Sequence, residues 1–128
     1  MSIGSAVDVA RGAVGAAQAV LNGAEFNGAR VDALFHYGAV DIEPRHLVVW
    51  ILLSGKPDDQ LPQWLAVAPD ATTPETITTP DYRWLQTLRA EIVWQFAAVG
   101  WPLPQRISVY ADSAQRVANG GGWSYFRG

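Results

Sequence analysis

The run His46–Ser54, HLVVWILLS, constrains the fold of this chain more than any other feature. Leu47 to Leu53 are all apolar, with a Glu-Pro-Arg turn before them and Ser-Gly after. A short apolar run with branched and aromatic residues between turn signals suits a strand better than a helix. Successive side chains of a strand point to opposite sides. Leu47, Val49, Ile51 and Leu53 therefore share one face, and Val48, Trp50 and Leu52 share the other. A strand that is apolar on both faces must be covered on both. A simple sheet with one wet face is excluded. Either an N-terminal helix or another molecule covers the side that carries Trp50.

Two helices are legible around this strand. Ser5 or Ser2 caps the first, which runs to about Leu21 with Val7, Ala10, Val14, Ala17 and Leu21 at helical spacing. Its Ala and Gly residues, among them Gly12, Ala13, Gly15 and Ala16, give it a thin body that permits close approach. Asn22-Gly23 stops it. The second helix starts at Thr79-Pro80-Asp81, a capping hydroxyl followed by Pro and an acid in the first turn. It runs to about Val99 and stops at Gly100, with Pro102 beyond. Its core stripe is Leu85, Leu88, Ile92, Phe96 and Val99. Trp94 falls nearly opposite that stripe, beside Arg83, Thr87 and Ala90, while Trp84 and Glu91 lie on a flank.

Residues 31–42 suit a strand bent at Gly38, and a short helix over Arg30 to His36 fits nearly as well. Residues 55–79, with four Pro and five Thr, form a long connection with one helical turn at Leu61 to Ala66. Trp64, Leu65 and Val67 pin its middle to the body. Arg106 to Ala111 reads as a strand, with Ile107, Val109 and Ala111 on one face. Asp112-Ser113 caps a short helix to Ala118. The glycines at 120–122 turn the chain into a last strand, Trp123 to Phe126. No internal repeat is apparent.

Composition bounds what such a domain does. The 128 residues suit one domain, 1–128. Charged residues are 16% against a usual share of about 25%, and a thinly charged surface invites a partner or self-association. The net charge of −3 and the absence of any basic patch exclude nucleic acid as an expected partner. The apolar stretch from Gly12 to Ala24 has 13 residues and includes Gln18 and Asn22, too short for a membrane span. With no Cys and no signal-like n-region, the expected location is cytoplasmic.

Reactive side chains are scarce: no Cys, two His and one Lys. His36, Asp41, Glu43 and His46 cluster within eleven residues, but their spacing matches no metal motif, and Pro44 prevents Glu43 and His46 sharing a helix face. Asp112-Ser113 lacks the glycines of a nucleophile elbow and reads as a cap. The glycines at 120–122 lack a following helix N-terminus or nearby Lys to hold phosphate. The expectation is no catalytic residue, no cofactor and no metal.

Six Trp stand against this poverty, all after position 49. Trp50, Trp84 and Trp123 are expected in or near the core. Trp94, Trp101 and, from its flank, Trp84 are the candidate partner-binding residues, since aromatic anchors dominate interfaces. Arg106 to Arg127 supplies one further pointer. It holds a strand, a Ser-x-x-x-Val turn (Ser113, Val117), glycines and a Trp-x-Tyr-Phe strand (Trp123, Tyr125, Phe126). This resembles the tails of small uncharacterised bacterial proteins, some of which resemble immunity partners of contact-delivered toxins. The resemblance covers about a fifth of the chain. It departs from the pattern at Gln115, where an acid is expected two residues after the Ser.

The sequence thus predicts an α+β fold. Three or four mostly antiparallel strands carry one long amphipathic helix on one face, with the N-terminal helix on the other face or at an edge. Strands 106–111 and 123–126 are expected to be neighbours. The predicted function is a non-enzymatic protein-binding domain, such as an immunity protein neutralising a bacterial toxin, with another protein or itself as a homodimer for partner and no nucleic acid or membrane. The alternatives are a small-molecule or hydrolase-like site lined by Trp near His36 and His46, and a self-associating structural subunit.

Overall fold

The computed structural model describes residues 5–38, 40, 43–68 and 80–122. Helix α1, Ala6–Leu21, opens where the Ser5 hydroxyl accepts the Asp8 amide at 3.2 Å. Strands β1 (Glu25–Phe26) and β2 (Ala29–Tyr37) form a hairpin. Its two-residue loop, Asn27-Gly28, has positive φ at both positions, 55° and 90°. That is the pattern of a type I′ turn, which matches strand twist. Strand β3 is Val48–Ser54 and β4 is Leu65–Ala66. Helix α2, Pro80–Ala98, leads to β5, Ser108–Ser113, and the short helix α3, Ala114–Asn119. Residues 31–37 are therefore strand. The helical turn expected at Leu61 to Ala66 is replaced by a 3-10 turn at Asp58–Gln60 and by β4. The expected strand at Trp123 to Phe126, and so its pairing with β5, lies outside the described residues.

The fold is α+β, as expected, but its sheet is larger and mixed. Among the described residues five strands run in the order β1-β2-β3-β5-β4. The central pair β3–β5 is parallel, with Val48 opposite Ser108 and Leu53 opposite Ser113; the other pairs are antiparallel. A parallel pair needs a long crossover, and α2 with its flanking segments supplies it.

The two faces of β3 enter separate apolar clusters. Leu47, Val49, Ile51 and Leu53 join Val31 and Leu34 of β2, Ile107, Val109 and Ala111, and the buried sides of α1 and α2. A bulge at Asp32 lets Val31 and Leu34 both face this core despite their odd spacing. On the opposite face Trp50 is buried with Val117 of α3, among Phe35, Tyr37, Val48, Leu52 and Tyr110. Trp50 stacks on Tyr110 at 5.0 Å, meets Trp64 edge-on at 5.1 Å, and donates its Nε1–H to the Tyr37 hydroxyl at 3.2 Å. Trp64 and Val67 thus tie the long connection to the body, as expected.

Helix α1 does not cross to the Trp50 face. It lies beside α2 on the Val49 face, against β2, where the Gln18 side-chain oxygen accepts the Leu34 amide at 3.1 Å. The close approach comes from Ala10, Ala13 and Ala17, which are buried; Gly12 and Gly15 face open space.

Helix α2 buries Leu85, Leu88, Ile92 and Phe96, but Val99 is 50% exposed. The helix ends one residue early, at Ala98, and Gly100 takes a left-handed conformation with φ of 80°. The Trp101 amide then donates back to the Phe96 carbonyl at 3.0 Å, and the Gly100 amide to that of Ala97 at 3.1 Å. This double bond pattern closes a Schellman motif, which brings the residue after the glycine against the last turn. Trp101 accordingly packs edge-on against Phe96 at 5.2 Å.

Candidate functional site

The predicted site residues part company in three dimensions. Trp94 projects from the outer side of α2 and is 64% exposed. Trp84 is half-buried on the flank of the same helix, stacked on Phe26 of β1 at 5.9 Å and 24°. Trp101 is 6% exposed and leaves the surface by way of the Schellman turn.

Around Trp94 the surface is concave. A groove of about 490 Å³ runs between α1 and α2, lined by Val20, Thr87, Ala90, Glu91, Trp94 and Gln95. Val20, 58% exposed, reaches the groove from α1, at the margin of that helix's buried stripe beside Ala13 and Ala17. One turn nearer the start of α2, Phe26, Trp84, Arg83 and Thr87 line a second shallow depression. Among the described residues the outer side of α2 therefore carries apolar and aromatic surface along most of its length, with one cation, Arg83, and one anion, Glu91. Sequence reasoning found Trp94 and Trp84 but missed Val20 and Phe26. Helical phase does not single out Val20, which follows the buried Ala17 by three residues and Ala13 by seven.

A separate cavity of about 260 Å³ lies between the 3-10 turns Pro44–His46 and Pro104–Arg106, which lead into the parallel strands β3 and β5. Its floor is Leu47, Trp101 and Ile107, all buried, and Glu43, Arg45, Leu103 and Arg106 complete its wall. Leu103 is exposed and left-handed, with φ of 47°, an uncommon state for a bulky residue.

The histidines do not assemble a reactive centre. His36 faces Val49 across the β2–β3 ladder, while Ser113 faces Leu53 on the other side of β3. That offset is four residues along β3, roughly 13 Å. Burial, and then the Arg11 guanidinium, hold the His36 imidazole below its ordinary value. His46 sits exposed in the turn before β3. Asp41 lies outside the described residues. Among the described residues no group of three or more His, Asp or Glu is placed to hold a metal.

Asp112 and Ser113 do structural work. The Ser113 hydroxyl caps α3, accepting the Arg116 amide at 3.1 Å, and donates to the Asp58 carboxylate. Asp112, wholly buried, accepts from the Trp64 amide at 3.1 Å and from the Arg116 guanidinium at 2.8 Å. Arg116 also donates to the carbonyls of Pro62, at 3.0 Å, and Asp58. A buried carboxylate is tolerated when so paired. This network clamps residues 58–64 to the end of β5. It was missed from sequence because its members lie about fifty residues apart.

A comparison with protein-family models, curated proteins and solved structures finds no match. Among the described residues no helix is long and apolar enough to cross a membrane.

Proposed function

We propose that this chain is a non-enzymatic protein-binding domain that docks through the outer side of α2, with Trp94 as its anchor. The observation that carries this reading is a Trp 64% exposed in a groove beside Val20. Large contiguous apolar surface marks interaction sites, and Trp is the residue most enriched among binding hot spots. The role that suits it is that of a small bacterial immunity protein, which neutralises a toxin by occupying it. A single charge of each sign among the described residues of the docking surface fits the charge-depleted centre of an interface.

Capture from lysate of the source cells tests this, comparing wild type with Trp94→Ala. The variant is expected to lose about 2 kcal/mol or more of partner affinity. Its melting temperature as an isolated chain should stay nearly unchanged, because the ring is mostly in water. Equal capture by both proteins would remove Trp94 as the anchor.

A second reading is favoured by the cavity floored by Trp101, which lies in the neighbourhood of His46. Arg45 and Arg106 beside an apolar floor suit a small carboxylate or phosphate with an apolar body. A thermal-shift panel of such anions should then raise the melting temperature of wild type and not of Arg106→Ala. No shift across the panel discards this reading.

A further inference from the structure

We infer that the cavity between the turns Pro44–His46 and Pro104–Arg106 binds a free α-amino acid with an aliphatic side chain. Its carboxylate meets Arg106 and Arg45, and its ammonium meets Glu43. This rests on the second reading above, of the cavity as a site for a small anion, and names the ligand.

An apolar floor and charges of both signs meet in this one cavity of about 260 Å³. The floor is well covered: Leu47, Trp101 and Ile107 are 1%, 6% and 6% exposed. Leu47 and Ile107 stand just before the paired residues Val48 and Ser108, so the parallel register sets them side by side. The wall carries two cations, Arg45 and Arg106, and one anion, Glu43. Among the described residues none of these three enters an ion pair; Arg11 pairs with Asp8, and Arg116 with Asp112. Both arginines are exposed, whereas Glu43 is half-buried. A carboxylate drawn partly out of water favours a cation beside it.

That pattern of signs selects the ligand. A simple carboxylate or phosphate gains the arginines but is set against Glu43, a like charge on the same wall. A zwitterion gains both signs. The α-carbon of an amino acid holds a carboxylate, an ammonium and a side chain together, which matches charged walls of both signs over one apolar floor. The volume falls just below the ~300–1,000 Å³ of drug-sized sites and suits a ligand this small. Leu103 fits the same occupant. It is 64% exposed and holds φ at 47°, a left-handed state that is costly for a bulky residue and recurs at ligand clamps. Leu103 lines the cavity, so an aliphatic side chain seated on the floor gives it apolar surface to cover.

Isothermal titration calorimetry on the full chain near neutral pH tests this with ligands that share one branched skeleton. These are L-leucine, 4-methylpentanoate, which lacks the ammonium, and 3-methylbutylamine, which lacks the carboxylate. Leucine is expected to bind, and each of the others at least ~tenfold more weakly, because a charge-assisted contact is lost. Glu43→Gln should weaken leucine at least ~tenfold and leave 4-methylpentanoate unchanged or tighter, which removes the preference between them. Arg106→Ala should weaken leucine and 4-methylpentanoate together. Circular dichroism confirms that each variant is folded, and the preference for leucine is read on wild type alone should one of them fail to fold. A ligand missing either charge that binds wild type as tightly as leucine overturns the inference; where that ligand is 4-methylpentanoate, the anion reading still stands. A preference for leucine that survives in folded Glu43→Gln overturns it too. So does the absence of binding by all of them up to about 10 mM, beyond ordinary millimolar affinity. Only silence across the wider anion panel also discards the reading beneath it.

Discussion

Trp94 and Trp101 stand seven positions apart and meet opposite environments because Gly100 lies between them. Had the helix continued, Trp101 would fall beside Trp94 on the outer arc. The left-handed glycine instead folds Trp101 back onto Phe96. The signal was available: a glycine stop followed by a large apolar residue announces the Schellman contact. His36 is the other residue whose surroundings decide its behaviour. Its imidazole is held below the ordinary value of 6.5 by burial and by Arg11. Below about pH 6.5 the unfolded chain takes up a proton that the folded chain resists, so stability falls with pH through that value and levels off once the folded imidazole also protonates. The melting temperature should drop between about pH 7.5 and about pH 5.5. It should drop less in His36→Gln, which has no proton to gain there, and less in Arg11→Gln. Identical pH profiles for wild type and His36→Gln would show that the imidazole is not so constrained.

At the scale of elements, α1 wastes helical propensity. Gly12 and Gly15 sit mid-helix with open space where a Cβ would go. Gly12→Ala and Gly15→Ala should each raise stability by about 0.5–1 kcal/mol, read from chemical denaturation, since alanine loses less entropy on becoming helical. A loss of stability in either would mean that the glycine faces a neighbour. The elements that sequence located well, α1, β3 and α2, are those with long periodic patterns or strong caps. Strand β2 stayed ambiguous because the bulge at Asp32 breaks its alternation. The β1–β2 hairpin announces itself in Asn27-Gly28, but β1 itself has two residues and no pattern of its own. Strand β4 is equally short. The parallel pairing of β3 and β5 was illegible because Val48 meets Ser108, sixty positions on. The structure does expose a likeness between the two strands. Each follows a 3-10 turn closed by its Pro carbonyl, Pro44 with the Leu47 amide and Pro104 with the Ile107 amide. Of the proposed binding surface, helical phase alone placed Trp94 in water; it gave no hint that Phe26 would stack on Trp84, which depends on the hairpin.

Across the whole molecule the two faces of the sheet are unequal. The α1/α2 face is a deep core in which Val49 is wholly buried, whereas Leu52, on the Trp50 face, is half-buried. Sequence alone predicts the same severe penalty for charge on either side. The structure separates them: Val49→Asp should cost about 4 kcal/mol or more and abolish folding, because an unpaired carboxylate would enter the core. Leu52→Asp should remain folded with a lowered melting temperature. Equal loss in both would mean that Leu52 is sealed as tightly as Val49. The sheet order carries a consequence for biosynthesis as well. Strand β5 lies between β3 and β4, yet of the five it is the last to leave the ribosome. Until residue 113 emerges, β3 offers a bare hydrogen-bonding edge with apolar side chains above and below, the state most prone to sticking to a neighbour. A nascent chain halted before β5 is therefore a natural client for a holdase chaperone, and a truncation in the 99–107 segment yields not a smaller domain but an aggregate.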